Sequence, residues 1–577
     1  MTSAALPPVE QELRAAVSGD TLLDYTRTIA QWVRLSGSED EAKAFAYVAE
    51  TCRGFGMRVV EHGVEALVSW PGRATLTTLG PEPHAFPCIT HAFATSTAAD
   101  GIEGAVVDQD SGATDVRGAI VLSDGLANPG KGMAAQAAGV LAQININDDY
   151  VHEMIISPVW GTPTPQTVDL LPELVSVSVN AADGAALRRL AANGDVRVRI
   201  TAEVDTRWRT IPVLTAELDG EEDRFVLFSG HIDSWHYGAM DNGTANATML
   251  EVGRLLGARK GALRRGLRLA FWSGHSHARY AGSTWYADHF WADLHQRCVG
   301  HVNVDSVGGI GATILSEANT MAETVGFAGR AIGEVAGQEL EYKRFGRAGD
   351  QSFNGIGLPA LFMSVSGQPA RGGAVEEQMA RLLGTGGRSR SGGLGWWWHT
   401  TEDTMDKIDR DFLVRDATIY ALTVWRLCTL PLLPFDYGAA TEELRGVLAD
   451  LATVAGDRFD LGPALAEADA LLADTARLRA ACAAAPTDPA TIDRLNTCIM
   501  ALGRRLTPIN YTLAGEYEHD LALGSPPIPS LQPLRRLATL DLASDESRYL
   551  HTQLVRARNR TWHAFHEARQ AITIALA

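Results

Sequence analysis

Apolar residues recur with two different periods along this chain, and each period predicts one type of element. A spacing of three or four residues over 22–33 and 42–52 predicts two amphipathic helices near the N-terminus, followed by a strand at 57–60. Between 201 and 435, short apolar runs alternate with helical patterns, and the first of these runs lies at 213–217. Such alternation is typical of an α/β fold with a mostly parallel sheet and helices on both faces.

The pattern changes three times, which divides the chain into four segments with predicted bounds 1–70, 71–200, 201–435 and 436–577. The first and third segments together would form the α/β domain. The second has short β-rich pieces separated by Gly, Pro, Asp and Asn, so we expect an inserted β-rich domain. The fourth predicts a helical domain with apolar stripes at 441–454 and 546–575. These stripes need a partner surface, which could be the α/β domain, a second subunit or both.

The charge balance excludes two classes of partner. The 577 residues carry a formal net charge of −19, whereas binding to nucleic acids or anionic membrane surfaces needs a basic footprint. The six cysteines are scattered without a CxxC pair, which fits reduced thiols. The sequence contains neither a signal-peptide pattern nor an apolar run of membrane-spanning length, so we expect a cytoplasmic protein.

One apolar run ends abruptly in residues that can bind a metal. The strand predicted over 224–228 leads into His231, Asp233 and Asp241, and a helical pattern begins at 245. Ligands bind at the carboxyl ends of strands in α/β sheets, because the loops beyond them converge on one crevice. His231 could bind a metal ion, Asp233 could accept a hydrogen bond from its imidazole, and Asp241 could bind one ion or bridge two.

Three further strand ends carry residues of the same kind. The strand predicted at 301–305 ends in Asp305, a strand at 267–272 runs into histidines at 275 and 277, and His399 follows three tryptophans. Taken singly, each of these residues is more often structural than functional. Together they predict that one crevice collects enough imidazole and carboxylate groups for a metal centre.

Five short motifs resemble those of a known family. They are Gly-His-x-Asp, Gly-Ala-x-Asp-Asn, Gly-Ser-Thr, Asn-x-Asp and His-Thr-x-x-Asp-Thr. The set is similar to that of the co-catalytic zinc peptidases, which include glutamate carboxypeptidase II, bacterial zinc aminopeptidases and the inactive transferrin receptor. The resemblance covers nearly the whole chain. It implies a zinc aminopeptidase-like α/β domain and a protease-associated domain in the inserted segment.

The family also implies zinc or another divalent transition metal, as two ions. The implied ligands are His231, Asp241 and Asp305 for one ion, and Asp241, His399 and a residue from the loop after Trp272 for the other. In this arrangement Asp233 would orient His231.

The loop after Trp272 departs from the family, which has two adjacent glutamates there, the first a general base and the second a metal ligand. This chain has no carboxylate in that loop. Counting back from Gly282 places Ser276 and His277 at the two positions, whereas counting forward from Trp272 places His275 and Ser276 there. We favour the first register because it supplies an imidazole, that of His277, where a ligand is required.

A serine at the first position cannot accept a proton at neutral pH, so the usual peptidase mechanism cannot run unchanged. His275 could replace the base, or a hydroxide could attack already deprotonated, because metal binding brings the pKa of water close to about 7. Arg344 and Arg347 could pair with a substrate carboxylate, although a solvated pair of arginines is the alternative. Tyr280 could stabilise the oxyanion or simply pack, and Trp398 could wall the pocket.

These features predict a metal-dependent hydrolase of amide or peptide bonds, with a metal-activated hydroxide as the nucleophile. A site without the usual base favours a specialised small substrate over general peptides. The alternative is a metal-binding pseudopeptidase that acts as a binding or interaction protein. The apolar C-terminal helices, and the dimeric habit of the carboxypeptidase II branch that the chain resembles, predict a homodimer.

Overall fold

The computed structural model describes residues 6–112, 115–194, 196–382 and 389–577. Within these ranges, twelve strands belong to one sheet. The strands are β1 (Arg58–Leu79), β2 (Ala85–Phe86), β3 (Ile89–Thr90), β4 (Ile102–Asp108), β5 (Ile120–Asp124), β6 (Ala142–Ile146), β7 (Val175–Val179), β8 (Arg197–Leu218), β9 (Glu222–His231), β10 (Arg265–Trp272), β11 (Cys298–Asn303) and β12 (Ala360–Leu361).

The α-helices of the described residues fall into three groups along the chain. They are α1 (Pro8–Ala15), α2 (Gly19–Ile29) and α3 (Glu39–Gly54) before the sheet; α4 (Pro129–Ala137), α5 (Ala181–Ala192), α6 (Ala245–Gly257), α7 (Ala281–His289), α8 (Trp291–Arg297), α9 (Val325–Ala336), α10 (Ala374–Leu382) and α11 (Arg410–Thr429) among the strands; and α12 (Tyr437–Ala455), α13 (Gly462–Ala483), α14 (Pro489–Tyr511), α15 (Leu534–Leu537) and α16 (Asp545–Leu576) after them.

The central strand β9 lies between β10 and β11 and is parallel to both. Its residues from Phe225 to His231 are all buried, as expected of a strand that is covered on both faces. In this register Trp272, the last residue of β10, pairs with His231, and Asn303, the last residue of β11, pairs with Ser229. The loops that follow the three strands therefore leave the sheet at the same edge.

Alternate residues of the central strands contribute to two different cores. Val226 and Phe228 pack with residues of α2, α6 and α11 on one face, whereas Phe225 and Leu227 pack with residues of α7 and α8 on the other. A third core, between residues 76 and 202, contains the apolar residues of β5, β6 and β7. Helices on both faces are thus required to bury this sheet.

The longest strands, β1 and β8, form one antiparallel pair of 22 residues each. The sequence predicted only short strands at 57–60 and 213–217, and the predicted segment bounds at 70/71 and 200/201 fall inside the two long strands. The register shifts between Pro71 and Ala74. Proline has no N–H for the ladder and normally interrupts a strand, and here a bulge accommodates it.

The five C-terminal helices pack largely against one another. In α12 the stripe at 441–454 buries Leu444 and Leu448, and in α16 the stripe at 546–575 buries Leu554 and Phe565. These residues are continuous with the core of the α/β part of the chain. The same chain therefore supplies most of the partner surface that the stripes need. None of the helices in the described ranges is long and apolar enough to cross a membrane.

Candidate metal centre

Four of the predicted ligands converge beyond the end of β9. They are His231, Asp241, Asp305 and His399. His231 Nε2 lies 3.3 Å from Asp241 Oδ1 and 3.6 Å from Asp305 Oδ2. His399 Nε2 lies 3.1 Å from Asp241 Oδ2. The carboxylate of Asp241 therefore stands between the two imidazoles, with one oxygen near each.

Hydrogen bonds on the far side of each ring orient the two imidazoles. His231 Nδ1–H donates to the backbone carbonyl of Asp233 at 2.9 Å, and His399 Nδ1–H donates to that of Glu153 at 2.7 Å. The indole N–H of Trp235 also approaches Nε2 of His399, at 3.2 Å. Because a carbonyl can only accept, each ring carries a proton on Nδ1, and Nε2 is the nitrogen that faces Asp241.

The charge and the free atoms of this cluster fit a bound cation. Nε2 of His231 and Oδ1 of Asp241 are buried and form no hydrogen bond to the described residues. Burial lowers the pKa of His231, but three neighbouring carboxylates raise it more, so that this pKa lies well above its ordinary value. A buried site with surplus negative charge, imidazole nitrogens and carboxylate oxygens suits a divalent transition metal.

His275, which the sequence predicted as a possible general base, lies beside the predicted metal ligands. One of its nitrogens is within 4.8 Å of ligand atoms of His231 and Asp305, and its ring stacks on that of His231 with centroids 3.7 Å apart. Its Nδ1 donates to Oδ2 of Asp350 at 2.7 Å. An imidazole that is held by a carboxylate and lies beside other ligand-type side chains has the surroundings of a metal-binding histidine.

His277, which the sequence predicted as a metal ligand, does not belong to this group of neighbouring atoms, although its Nε2 is buried and has no hydrogen-bond partner among the described residues. Its Nδ1 lies 3.1 Å from Oγ of Ser36, and its ring packs on that of Trp235 with centroids 4.4 Å apart. The ring is buried, and burial lowers the pKa of His277 to about 3. The loop therefore turns His275 toward the ligands and His277 into the interior.

The carboxylate of Asp233 determines this turn of the loop. Its Oδ2 accepts the backbone N–H of Ser276 and the hydroxyl of Ser36, both at 2.8 Å. Its Oδ1 accepts the backbone N–H of His275 at 3.3 Å but lies 3.7 Å from Nδ1 of His231. Asp233 was predicted to orient His231, and the atom that does so is its backbone carbonyl.

Three residues that shape the site were not among the predicted ones: Arg34, Asp350 and Asp403. The buried guanidinium of Arg34 donates to five backbone carbonyls, two of them in the loop that carries Asp241. Asp403 accepts the backbone N–H groups of Met240 and Asp241, both at 2.9 Å. Asp403 is the aspartate of the His-Thr-x-x-Asp-Thr motif and could have been found there, whereas no motif contains Arg34.

A pocket adjoins the cluster and encloses about 600 Å³ including its open mouth. Its wall contains Asp241, His275, Ser276, Asp305 and His399, together with the apolar side chains of Met154, Ile155, Trp235, Met363, Leu394 and Trp398. Tyr280 and Trp398, both predicted to contact the substrate, line it too, and the Trp398 ring stacks on that of His399 with centroids 3.5 Å apart. Apolar walls around a few convergent polar groups are typical of a binding site for a small molecule or a short peptide.

Arg344 and Arg347, which were predicted to bind a substrate carboxylate, do not line this pocket. The Arg347 guanidinium donates to the backbone carbonyls of Gln351 and Asp520. That of Arg344 donates to the side chain and the backbone carbonyl of Asn510. Both arginines therefore tie the α/β part to the C-terminal segment.

Comparison with known proteins identifies the segment that holds these side chains. Residues 214–424 match the model of peptidase family M28. The M28 segment runs from β8 to α11 and contains His231, Asp241, His275, Asp305 and His399. The resemblance to the co-catalytic zinc peptidases and the prediction of a peptide hydrolase are thereby confirmed.

Curated relatives extend the similarity beyond the M28 segment. The chain is 23% identical over 509 residues to the probable glutamate carboxypeptidase VP8 of Zea mays. This match covers 73% of this chain and 68% of the maize protein. It is 30% identical over 140 residues to the aminopeptidase NAALADL1 of Mus musculus, where the match covers 24% of this chain and 19% of the mouse protein.

Solved structures share the fold at lower identity. A structure described as a zinc aminopeptidase from Bacillus subtilis superposes with a TM-score of 0.52 at 19% identity, over 75% of this chain and 98% of that protein. The predicted α/β class, with a large central sheet and flanking helices, is confirmed by this similarity.

Proposed function

We propose that this chain is a metal-dependent hydrolase of amide or peptide bonds that acts on a specialised small substrate. The observation that carries the proposal is the pair of buried, unpaired ligand atoms, His231 Nε2 and Asp241 Oδ1, 3.3 Å apart beside the pocket. Zinc is the first candidate, because the Bacillus subtilis protein of similar fold is described as a zinc enzyme. Other divalent transition metals suit the same donor atoms.

The residues that would hold one or two ions are His231, Asp241, Asp305, His399 and His275. In this assignment His275 takes the place that the sequence gave to His277. When bound, a divalent ion would polarise the substrate carbonyl and acidify a water molecule. The roles of the chain itself are to fix the donor atoms: Asp350 holds the His275 ring, and Asp403 holds the backbone at Asp241.

The pocket wall offers no separate carboxylate base. Among its described residues, the acidic ones are Asp241 and Asp305, and both belong to the ligand cluster. Ser276 presents a hydroxyl, which cannot take up a proton at neutral pH. A site of this composition depends on the metal for activation of the nucleophile, which favours one well-positioned substrate over many peptides.

The β-rich insertion would serve as the protease-associated domain that the resemblance implies. Two of its residues, Met154 and Ile155, line the pocket, and the carbonyl of Glu153 holds the His399 ring. The insertion therefore contributes both to the pocket wall and to the orientation of a ligand.

The test compares the wild type with His275→Ala and its matched control His277→Ala. After metal loading and dialysis, elemental analysis should find one or two equivalents in the wild type and in the control, and less in His275→Ala. Hydrolysis of a panel of dipeptides, N-acyl amino acids and their amides is measured on the same samples. Loss of metal in His277→Ala but not in His275→Ala would overturn the ligand assignment. A wild type that takes up no transition metal, or that hydrolyses nothing when loaded, would overturn the function.

A further inference from the structure

A buried cation lies in the wall of the pocket. Arg279 is 6% exposed and lines the pocket beside Asp305 and His275. Among the described residues of the wall it is the one Lys or Arg. Its φ of 46° and that of Tyr280, 69°, are both in the left-handed region, which is uncommon for side chains of this size. The turn after the His275 loop thus carries the guanidinium to the wall.

The guanidinium of Arg279 has few partners of its own. Its Nε donates to the backbone carbonyl of Ser157 at 3.1 Å. Tyr280 is its other polar neighbour, and the ring centroid lies 5.6 Å from the central carbon of the guanidinium. Among the residues that the structure describes, no carboxylate forms an ion pair with it. A buried charge with so little compensation is costly unless a ligand supplies the counter-charge.

Three other buried arginines of this chain are hydrogen-bonded or ion-paired to several protein groups. Arg34 donates to five backbone carbonyls, Arg504 donates to four, and Arg426 pairs with Glu10 and Glu334. These contacts hold parts of the fold together. The guanidinium of Arg279 retains donors for a further acceptor, and it faces the pocket.

We propose that Arg279 binds a carboxylate of the substrate, so that the substrate class is amides or peptides with a carboxylate near the scissile bond. This inference rests on the proposed function, because it assumes that the bound substrate has an amide bond that is cleaved at this site. An arginine fork matches a carboxylate with two parallel hydrogen bonds. A substrate with a free amino group would instead need an acidic partner, and the acids in the wall are Asp241 and Asp305, which belong to the ligand cluster.

The experiment measures binding of two compounds that differ in the presence of a carboxylate. N-benzenesulfonylglycine and N-(2-hydroxyethyl)benzenesulfonamide contain a sulfonamide and no carboxamide, so the proposed reaction cleaves neither. Calorimetry on the metal-loaded protein compares the wild type with Arg279→Met, Arg279→Lys and the control Arg207→Met. Arg207 is exposed, so its variant tests the loss of one positive charge away from the pocket.

The wild type and Arg207→Met should bind the acid about ten-fold more tightly than the alcohol, since a hydrogen-bonded charge pair contributes at least that factor. Arg279→Met should reduce the ratio to about one, and Arg279→Lys should keep part of it because the charge remains but the fork is lost. A ratio near one in the wild type, or a full ratio in either Arg279 variant, would overturn the proposal.

Metal content and hydrolysis of the panel are recorded on the same samples, so the two proposals fail separately. Acid preference without any hydrolysis overturns the hydrolase function and keeps the carboxylate site. Hydrolysis without acid preference keeps the hydrolase and overturns the role of Arg279. Equal metal content in wild type and variants shows that the Arg279 substitutions leave the ligand cluster intact.

Discussion

The carboxylate of Asp350 illustrates how single residues act on the proposed metal centre without facing it. Oδ2 accepts from Nδ1 of His275, and Oδ1 accepts the hydroxyl of Ser283 at 2.7 Å. Such a partner fixes the ring and makes its second nitrogen a stronger donor to a metal. No family motif contains both His275 and Asp350, because the two residues are 75 positions apart in the sequence.

Replacement of Asp350 by alanine should therefore weaken metal binding while the ligands remain. We expect about a 10- to 100-fold loss of affinity, the usual effect of removing a partner that orients a ligating histidine. Competition with a metal chelator measures it. Asp288→Ala, which removes the carboxylate partner of His519 outside the cluster, is the control, and an equal loss of affinity in both variants would contradict the assignment.

Arg34 acts on the site through the backbone. Its removal would leave five carbonyls without their donor in the interior, where an unpaired polar group is costly. Arg34→Met should lower the midpoint of thermal unfolding strongly, with a loss of about 3 kcal/mol or more. Differential scanning calorimetry provides the measurement.

The control for Arg34 is Arg27→Met in the neighbouring helix α2. Arg27 and its partner Asp24 are exposed, so their ion pair contributes little. If both variants unfolded at the same temperature as the wild type, the carbonyl cluster would not stabilise the fold.

At the scale of elements, the parallel register of β9, β10 and β11 brings the ligands together. Gly230 lies in β9 next to His231, and a Cβ at this position would stand 2.8 Å from the backbone carbonyl of Val304. That carbonyl belongs to the residue before Asp305. The close approach of these two segments therefore needs a residue without a side chain.

Gly230→Ala should push the two segments apart and lower both stability and metal affinity. Overpacking of this kind costs about 1–3 kcal/mol. The midpoint of urea unfolding and a chelator titration measure the two effects. Gly326→Ala is the control, because nothing lies within 4 Å of a Cβ at this exposed helical position. A variant Gly230→Ala with wild-type metal affinity would contradict the proposed role of this contact.

At the scale of the whole molecule, the homodimer remains a prediction, but the apolar stripes that led to it have another explanation. The stripes that motivated it are largely buried within the chain. On α16, however, Tyr549, Trp562 and Ile574 remain exposed, at 74%, 37% and 72%. These are the apolar side chains of α16 that a partner subunit would bury in the predicted dimer.

We expect light scattering to give twice the chain mass of 61.9 kDa at micromolar concentration. Ile574→Asp should shift the protein toward the monomer, because it places a charge in the proposed interface. Val168→Asp is the control on an exposed apolar residue of the inserted segment. A monomeric wild type would refute the dimer.

The sequence by itself determined the fold class and most elements. The helical stripes predicted at 441–454 and 546–575 lie within α12 and α16, and the strand predicted at 267–272 lies within β10, because apolar periodicity follows directly from burial of one face. It also indicated four residues of the proposed metal centre, His231, Asp241, Asp305 and His399, since each follows the end of a strand or belongs to a motif.

Only the tertiary structure decided which side chain of the His275–His277 loop faces those ligands. Two histidines separated by one residue have the same sequence signal, and the choice depends on the hydrogen bonds of Asp233 to the loop backbone. Only the folded structure shows that β1 pairs with β8, which is far from it along the chain. Only the folded structure also shows that Arg279 is buried in the pocket wall. A motif reports residue types at fixed spacing, whereas the burial and the partners of a charge exist only once the chain has folded.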